Sequence, residues 1–225
     1  MTILGISTSS KYASAAVMKN GAVVSFHSEN GQETGRSHSE MLMELIGMAL
    51  ADAEADKKEI GAIAVDIGPG SFTGVRIGVS CANAMAFALS IPVIPVCSLT
   101  AMCLGDDIFI SEIEAPDDTG SLPVIHAALI DCRNGNCYGA AYDSGMNEVI
   151  APCAAVTAEL TARLPEGAVM ISGDAAEGTK KDAHSYPNAK QVLNAALRLG
   201  IPAAKQAVPM YLRPSQAERM KKADS

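Results

Sequence analysis

Eleven consecutive residues constrain this chain more than any others: Gly68-Pro69-Gly70-Ser71-Phe72-Thr73-Gly74-Val75-Arg76-Ile77-Gly78. They follow an apolar run, Ala62 to Ile67, that reads as a buried strand. They lead into Val75 to Leu89, which reads as a helix. Glycine tolerates positive φ and lets another backbone approach closely, so Gly70 or Gly74 is expected to hold a conformation costly for other residues. Ser71 or Thr73 is placed to cap the helix, and the free N–H groups of a helix start can hold an anion. The turn lacks the Gly-Lys-[Ser/Thr] ending of a Walker A loop. Nor do glycines flank Ser71 at i−2 and i+2, as a nucleophile elbow requires. Two readings stay open: a tight turn that seats a helix on a sheet, or an anion-binding turn.

Hydrophobic residues make up 48% of the 225, but aromatics only 4%, with no Trp. The core must therefore be Ala, Val, Leu, Ile and Met, and platforms for stacking single-stranded bases are few. A formal net charge of −8 argues against this chain holding RNA alone, since nucleic-acid binders show a basic footprint. Arg213, Arg219, Lys221 and Lys222 cluster toward the C-terminal end and read as a solvated tail. The six cysteines have no Cys-x-x-Cys spacing and mostly sit in apolar runs. They read as small buried residues of a reducing compartment rather than zinc ligands or a disulfide framework. No basic n-region with a cleavage site opens the chain, and no apolar run reaches the ~18 residues of a membrane span. A cytoplasmic protein with no membrane contact is expected.

Met1 to Thr8, Tyr12 to Met18 and Ala22 to His27 read as three strands. Asn20-Gly21 is a strong hairpin signal between the last two. Ser39 to Asp56 reads as a broadly apolar, methionine-rich helix. After the strand, glycine turn and helix come a strand at Pro92 to Val96 and a short helix capped by Ser98. Asp106 to Ser121 is acidic, contains Pro116 and Gly120, and reads as a boundary. Leu122 to Ile130 and Cys137 to Tyr142 read as paired strands, with Val149 to Pro152 as a third. A helix over Thr157 to Leu164, a strand over Val169 to Ser172, a polar stretch from Gly173 to Tyr186 and a helix over Asn188 to Leu199 follow. After Arg76 the signature helix carries no charge and many small side chains. A helix apolar all round is covered on every side, and the sheet covers one face only. Either the Ser39 to Asp56 helix completes the cover, or the two helices together meet a partner.

Gly68 to Gly78 resembles the signature of the TsaB (YeaZ) family, bacterial partner proteins in tRNA threonylcarbamoyladenosine synthesis. Ile3 to Ser9 resembles that family's opening strand. Arg36-Ser37-His38-Ser39-Glu40-Met41-Leu42 resembles its Arg-x-His-Ser-Glu-x-Leu segment. Asp131-Cys132-Arg133 resembles its Asp-Ala-Arg, and Pro209-Met210-Tyr211-Leu212-Arg213 its Pro-x-Tyr-Leu-Arg. The landmarks span nearly the whole chain in family order.

The resemblance implies an α/β fold of two ribonuclease H-like lobes in the actin-like ATPase superfamily. Residues 1–105 would form the first lobe and 106–225 a smaller, reduced one. It implies a non-catalytic subunit that binds a TsaD-like transferase, joined by a TsaE-like ATPase, with tRNA met through the complex. ATP and threonylcarbamoyl-adenylate would be used by those partners, with no cofactor required by this chain. In isolation the chain would form a homodimer through the same helix pair. Interface candidates on that pair are Met41, Leu45, Met48, Arg76, Val79, Ala82, Asn83 and Ala86. Ser7, Thr8, Asp131, Arg133 and Gly173 would mark a vestigial nucleotide cleft.

Relatives often carry Asp-Thr-Ser where this chain has Ser7-Thr8-Ser9, and a hydroxyl cannot replace a carboxylate as a ligand for Mg²⁺. Asp131 reads either as the matching acid of the second lobe or as a turn former. The related catalytic subunit holds a metal with two histidines four residues apart. Here Leu42 stands at i+4 from His38, and His27, His126 and His184 lie in unrelated segments, so no metal site is expected. Ser71 has no His and acid at recognisable spacing. The alternative functions are an actin-like kinase or ATPase using Ser7, Thr8, Asp131 and Gly173, and, with least support, a protease.

Overall fold

Two mixed sheets carry the architecture. In this computed structural model residues 1–105, 124–165, 169–175 and 186–213 are described. The first sheet has the order β3-β2-β1-β4-β5. Its strands are β1 (Thr2–Ser7), β2 (Tyr12–Lys19), β3 (Ala22–Asn30), β4 (Ile60–Asp66) and β5 (Val93–Val96). β1 to β3 run antiparallel, and β2 turns into β3 at Asn20-Gly21, both with positive φ of 52° and 85°. Asn and Gly accept that conformation, which matches the twist of a hairpin. β4 and β5 add in parallel.

Between β3 and β4 lie one helical turn, α1 (Gly31–Thr34), and the long helix α2 (His38–Asp52). A capping box starts α2: Glu40 accepts from the Ser37 backbone N–H and hydroxyl, which holds its carboxyl below the usual range. α2 stops short of Asp56 because the chain turns at Ala53 and Glu54, the latter with φ of 47°. Helix α3 (Phe72–Leu89) joins β4 to β5, and α4 (Ser98–Leu104) follows β5.

The second sheet has the order β8-β7-β6-β9, formed by β6 (Ile125–Asp131), β7 (Asn136–Asp143), β8 (Glu148–Val156) and β9 (Val169–Gly173). It repeats the order and directions of the first four strands of the first sheet. β8 is longer than the Val149 to Pro152 stretch read from sequence, because Pro152 is accommodated in an edge strand. Helix α5 (Thr157–Ala162) follows β8, and α6 (Ala189–Leu199) follows β9. The expected boundary at 106–121 and the basic residues Arg219, Lys221 and Lys222 lie outside the described residues, as does most of the polar stretch before Tyr186.

Alternation along the strands explains the layers. Leu4, Ile6, Ala15, Val17, Ile63 and Val65 face α2 and α3. Ala16, Met18, Ala62, Ala64, Ile94 and Val96 face the other way and pack against Ala189, Val192, Leu193 and Ala196 of α6. Covered on both faces, the strands read as near-continuous apolar runs. Burying each large aliphatic side chain contributes about 1.5–3 kcal/mol. Gly5 lets α6 lie flat on β1, since a Cβ there would overlap Leu193 and the Ala189 carbonyl oxygen. Chain order assigns 189–199 to the second lobe, but this helix packs on the first sheet. α4 packs on α6 and, through Leu99, Met102 and Leu104, on Ala128, Ala140 and Tyr142 of the second sheet. The two helices thus form the layer between the sheets.

α3, with 18 residues and a mean hydropathy of 1.3, is long and apolar enough to cross a membrane by length and composition. That differs from the expectation of no such run. The shortfall in the sequence reading came from starting the helix at Val75 rather than Phe72. Its inner face is packed on the sheet, so it is a core helix.

Candidate functional site

The signature turn is built by close approach. Gly68 has a φ of +95° and the Gly68–Pro69 peptide is cis. Gly70 and Gly74, expected to need an unusual φ, do not have one; they are glycine for lack of room. A Cβ on Gly70 would collide with the Ser9 carbonyl oxygen, one on Gly74 with the Thr8 carbonyl oxygen, and one on Gly78 with the Thr8 hydroxyl. The Ser71 N–H donates to Ser9 O at 2.6 Å, and the Thr8 hydroxyl to Gly74 O at 2.7 Å. The start of α3 therefore lies directly on the Ser7-Thr8-Ser9 backbone.

Ser71 is the N-cap, its hydroxyl accepting from the Gly74 N–H at 3.2 Å, while Thr73 is already inside the helix. A structural role is expected of Ser71. Ser71→Ala is expected to lower stability by about 1 kcal/mol. Its effect on the activity of any complex containing this chain should stay within about tenfold, against the ~10²-fold or greater loss from removing a catalytic group. A thousandfold loss in a folded, partner-bound variant would refute the structural role.

Beneath the turn sits Asp66, which sequence reasoning did not single out. It is 1% exposed. Its Oδ2 accepts from the Ser7 hydroxyl at 2.7 Å and the Ser9 hydroxyl at 2.5 Å. Its Oδ1 accepts from the Ser98 hydroxyl at 2.5 Å and the Gly68 N–H at 2.9 Å. Burial pushes its carboxyl above the usual carboxylate range, and the four hydrogen bonds oppose that only in part. The signal that could have found it is a lone carboxylate inside an otherwise apolar strand.

Ser7, Asp66 and Ser98 stand at or just after the carboxyl ends of β1, β4 and β5, the place where open α/β sheets bind ligands. Here that place is closed by the chain itself. Ser7 and Thr8 are fully buried, and Ser7 also donates to Pro187 O at 3.2 Å. Ser7 and Thr8 point into the core, whereas Asp131, Arg133 and Gly173 lie at the end of the second sheet. Asp131 is exposed and accepts from the Arg133 N–H at 2.8 Å, turn chemistry that explains the φ of 73° at Arg133. Gly173, with φ of 109°, lies against the Leu129 backbone.

Of the interface candidates, Met41, Leu45, Val79, Ala82 and Ala86 are core residues rather than surface residues, each at most 4% exposed. The reason is phase. Val75, Gly78, Val79, Ala82 and Ala86 recur at helical spacing on the face toward the sheet. Asn83 is engaged within the chain, donating to Ala207 O at 2.9 Å and accepting from its N–H at 2.8 Å. Met48 and Arg76 do face outward.

Met43 on α2 and Phe72, Ala84 and Phe87 on α3 were not among those interface candidates. All four are exposed, Phe87 at 89%. With Met48 they are apolar side chains exposed on the outward side of the helix pair, among Glu44, Thr73 and Ser80. At the edge of that side the Arg76 guanidinium lies 3.9 Å over the Phe72 ring and donates to Tyr211 OH at 2.9 Å. Tyr211 belongs to the Pro209 to Arg213 segment, which ties three parts together. Met210 N–H donates to Ile67 O at 2.7 Å, and Arg213 reaches Cys132 Sγ and Asn136 Oδ1 of the second lobe, both at 3.2 Å.

His38 is half-buried against the Ser10 and Lys11 backbone, and burial lowers its basicity. His27 pairs with Asp52 at 2.7 Å. Among the described residues no three His, Cys, Asp or Glu side chains gather at one point.

The family model for TsaD, tRNA N6-adenosine threonylcarbamoyltransferase, matches residues 25–216. The tRNA threonylcarbamoyladenosine biosynthesis protein TsaB of Haemophilus influenzae is 34% identical over 102 residues, covering 45% of this chain and 42% of that protein. The Escherichia coli protein of the same name is 31% identical over 149 residues, covering 66% and 58%. The chain thus spans less than two thirds of the length of these relatives. The solved structure of YeaZ from Pseudomonas aeruginosa superposes with a TM-score of 0.64 at 27% identity, over 94% of this chain and 99% of that one. With the signature turn, the two mixed sheets and these matches in agreement, the chain belongs to the TsaD family of tRNA threonylcarbamoyladenosine proteins, in its TsaB/YeaZ branch, and has the α/β fold of YeaZ.

Proposed function

We propose that this chain is a non-catalytic partner subunit in tRNA threonylcarbamoyladenosine synthesis. It docks a TsaD-like transferase on the outer face of α2 and α3, and a TsaE-like ATPase joins the assembly. A second copy of the chain competes for the same face and forms the homodimer in isolation. The observation that carries this reading is the number of large apolar side chains exposed on these two helices, Met43, Met48, Phe72 and Phe87, the last at 89% exposure. Large exposed apolar patches mark interaction sites, and methionine suits an adaptable one. The closed strand ends around Asp66 support the absence of nucleotide turnover by this chain.

The test is co-purification with the TsaD-like protein of the same cell, followed by a threonylcarbamoyl-transfer assay with and without this chain. Stable association and dependence of transfer on this chain are expected. Micromolar binding of Mg-ATP with turnover by the isolated chain would favour the kinase or ATPase instead, and cleavage of unfolded substrates without a partner would favour a protease.

The charge balance adds an expectation. A net charge of −8 repels phosphate, so the chain alone should bind tRNA only weakly at moderate salt. A tight gel-shift complex without the transferase subunit would refute this.

A further inference from the structure

On the outer seam between α2 and α3 the Cys81 sulfur is flanked by two methionine sulfurs. The Cys81 thiol lies 3.8 Å from the Met43 thioether and 3.9 Å from that of Met85. Cys81 and Met85 are four residues apart and share one face of α3; Met43 comes from α2. A metal held by sulfur at about 2.3 Å, in the plane of three donors, sets those donors about 4 Å apart. That is the separation between Cys81 and each methionine. Met43 is 52% exposed, so the seam is open to an entering ion, while Cys81 and Met85 are half-buried against the core.

One thiol and two thioethers form a soft donor set, which selects Cu(I), while Mg²⁺ and Ca²⁺ take oxygen ligands. Zinc prefers four thiolate, imidazole or carboxylate ligands. Burial pushes the Cys81 thiol up, so it is protonated before an ion arrives.

We propose that Cys81, Met43 and Met85 form a binding site for Cu(I) on the outer seam of α2 and α3. On binding, the thiol releases its proton to solvent as its sulfur bonds the metal. No electron is transferred, and copper enters and leaves as Cu(I). The assignment does not rest on the partner reading above.

Anaerobic titration of the full chain with Cu(I), against a chromophoric Cu(I) chelator, is expected to show one site of submicromolar affinity. X-ray absorption of that complex is expected to show sulfur neighbours only. Cys81→Ser should weaken the site by about a hundredfold or more. The Met43→Leu, Met85→Leu double variant keeps the bulk of both side chains and should weaken it by about tenfold or more. Cys132→Ser, which alters a thiol on the second lobe, should leave it unchanged. Circular dichroism melts establish that each variant is folded; if Cys81→Ser does not fold, the double methionine variant decides. Undiminished affinity in Cys81→Ser or in the double variant, loss of the site in Cys132→Ser, or no stoichiometric uptake by the wild type overturns the assignment.

Discussion

Asp66→Ala is expected to destabilise the fold by about 3–5 kcal/mol, a large share of the ~5–15 kcal/mol that holds a typical domain together. Three hydroxyls and one backbone N–H lose their acceptor at once, and each buried donor left unpaired costs about 1–3 kcal/mol. Rotation of the hydroxyls toward other oxygens recovers part of the sum. The urea midpoint should fall with little change in m. Asp66→Asn should behave differently. Its carbonyl oxygen still meets the Gly68 N–H, and its amide can donate to the Ser7 and Ser9 hydroxyls, so the loss should be within about 1 kcal/mol.

The pair also separates on pH. Burial raises the Asp66 carboxyl above its unfolded value, so the folded chain holds that proton more tightly. The resulting stabilisation is full below the unfolded carboxylate range and fades as pH rises through the folded-state value. Asp66→Asn should remove that component of the pH dependence. An alanine variant as stable as wild type would show that the cluster does not tie the strand ends together.

Charging the outer face should abolish partner binding without unfolding the chain. Met43→Glu and Ala84→Glu place a carboxylate on exposed positions, where it stays hydrated in the free subunit. Burying an unpaired charge in a contact costs several kcal/mol, against about 8 kcal/mol for a micromolar complex. A loss of about a hundredfold or more in affinity for the transferase subunit, and for a second copy, is expected by calorimetry or analytical ultracentrifugation. Ala82→Glu is the internal control: Ala82 is fully buried against the sheet, so this variant should fail to fold. Folded Met43→Glu and Ala84→Glu proteins that still bind and still support modification would remove the outer face from the interface.

That contrast shows what the sequence could express. The hairpin at Asn20-Gly21, the strand-turn-helix at Gly68 and the order of elements are local, and local chemistry decides them. The phase of α3 is not local. Small residues occupy both sides of it, so composition does not distinguish the sheet-facing Ala82 from the exposed Ala84. The return of α6 to the first sheet is likewise invisible to chain order. Asp66 was hidden for the opposite reason. Its partners Ser7, Ser9 and Ser98 come from distant segments, and only folding gathers them. The strongest sequence clue to crowding, the glycine density, was read as a dihedral requirement when it records the nearness of the Thr8 and Ser9 carbonyls.

The placement of α6 also sets an order of events during synthesis. The strands β1, β2 and β4 leave the ribosome early, and α2 and α3 can cover one of their faces soon after. Among the described residues the second face, with Ala16, Met18, Ala62 and Ala64, is covered mainly by Ala189–Leu199. At about 5–20 residues per second, that face waits roughly ten seconds for its cover. During this interval the nascent chain displays a flat apolar surface that a chaperone can hold and a second nascent chain can stick to. A premature stop after β5 and before residue 189 leaves the surface open for good, and such a product is a substrate for proteolysis even though its first sheet is complete in strands.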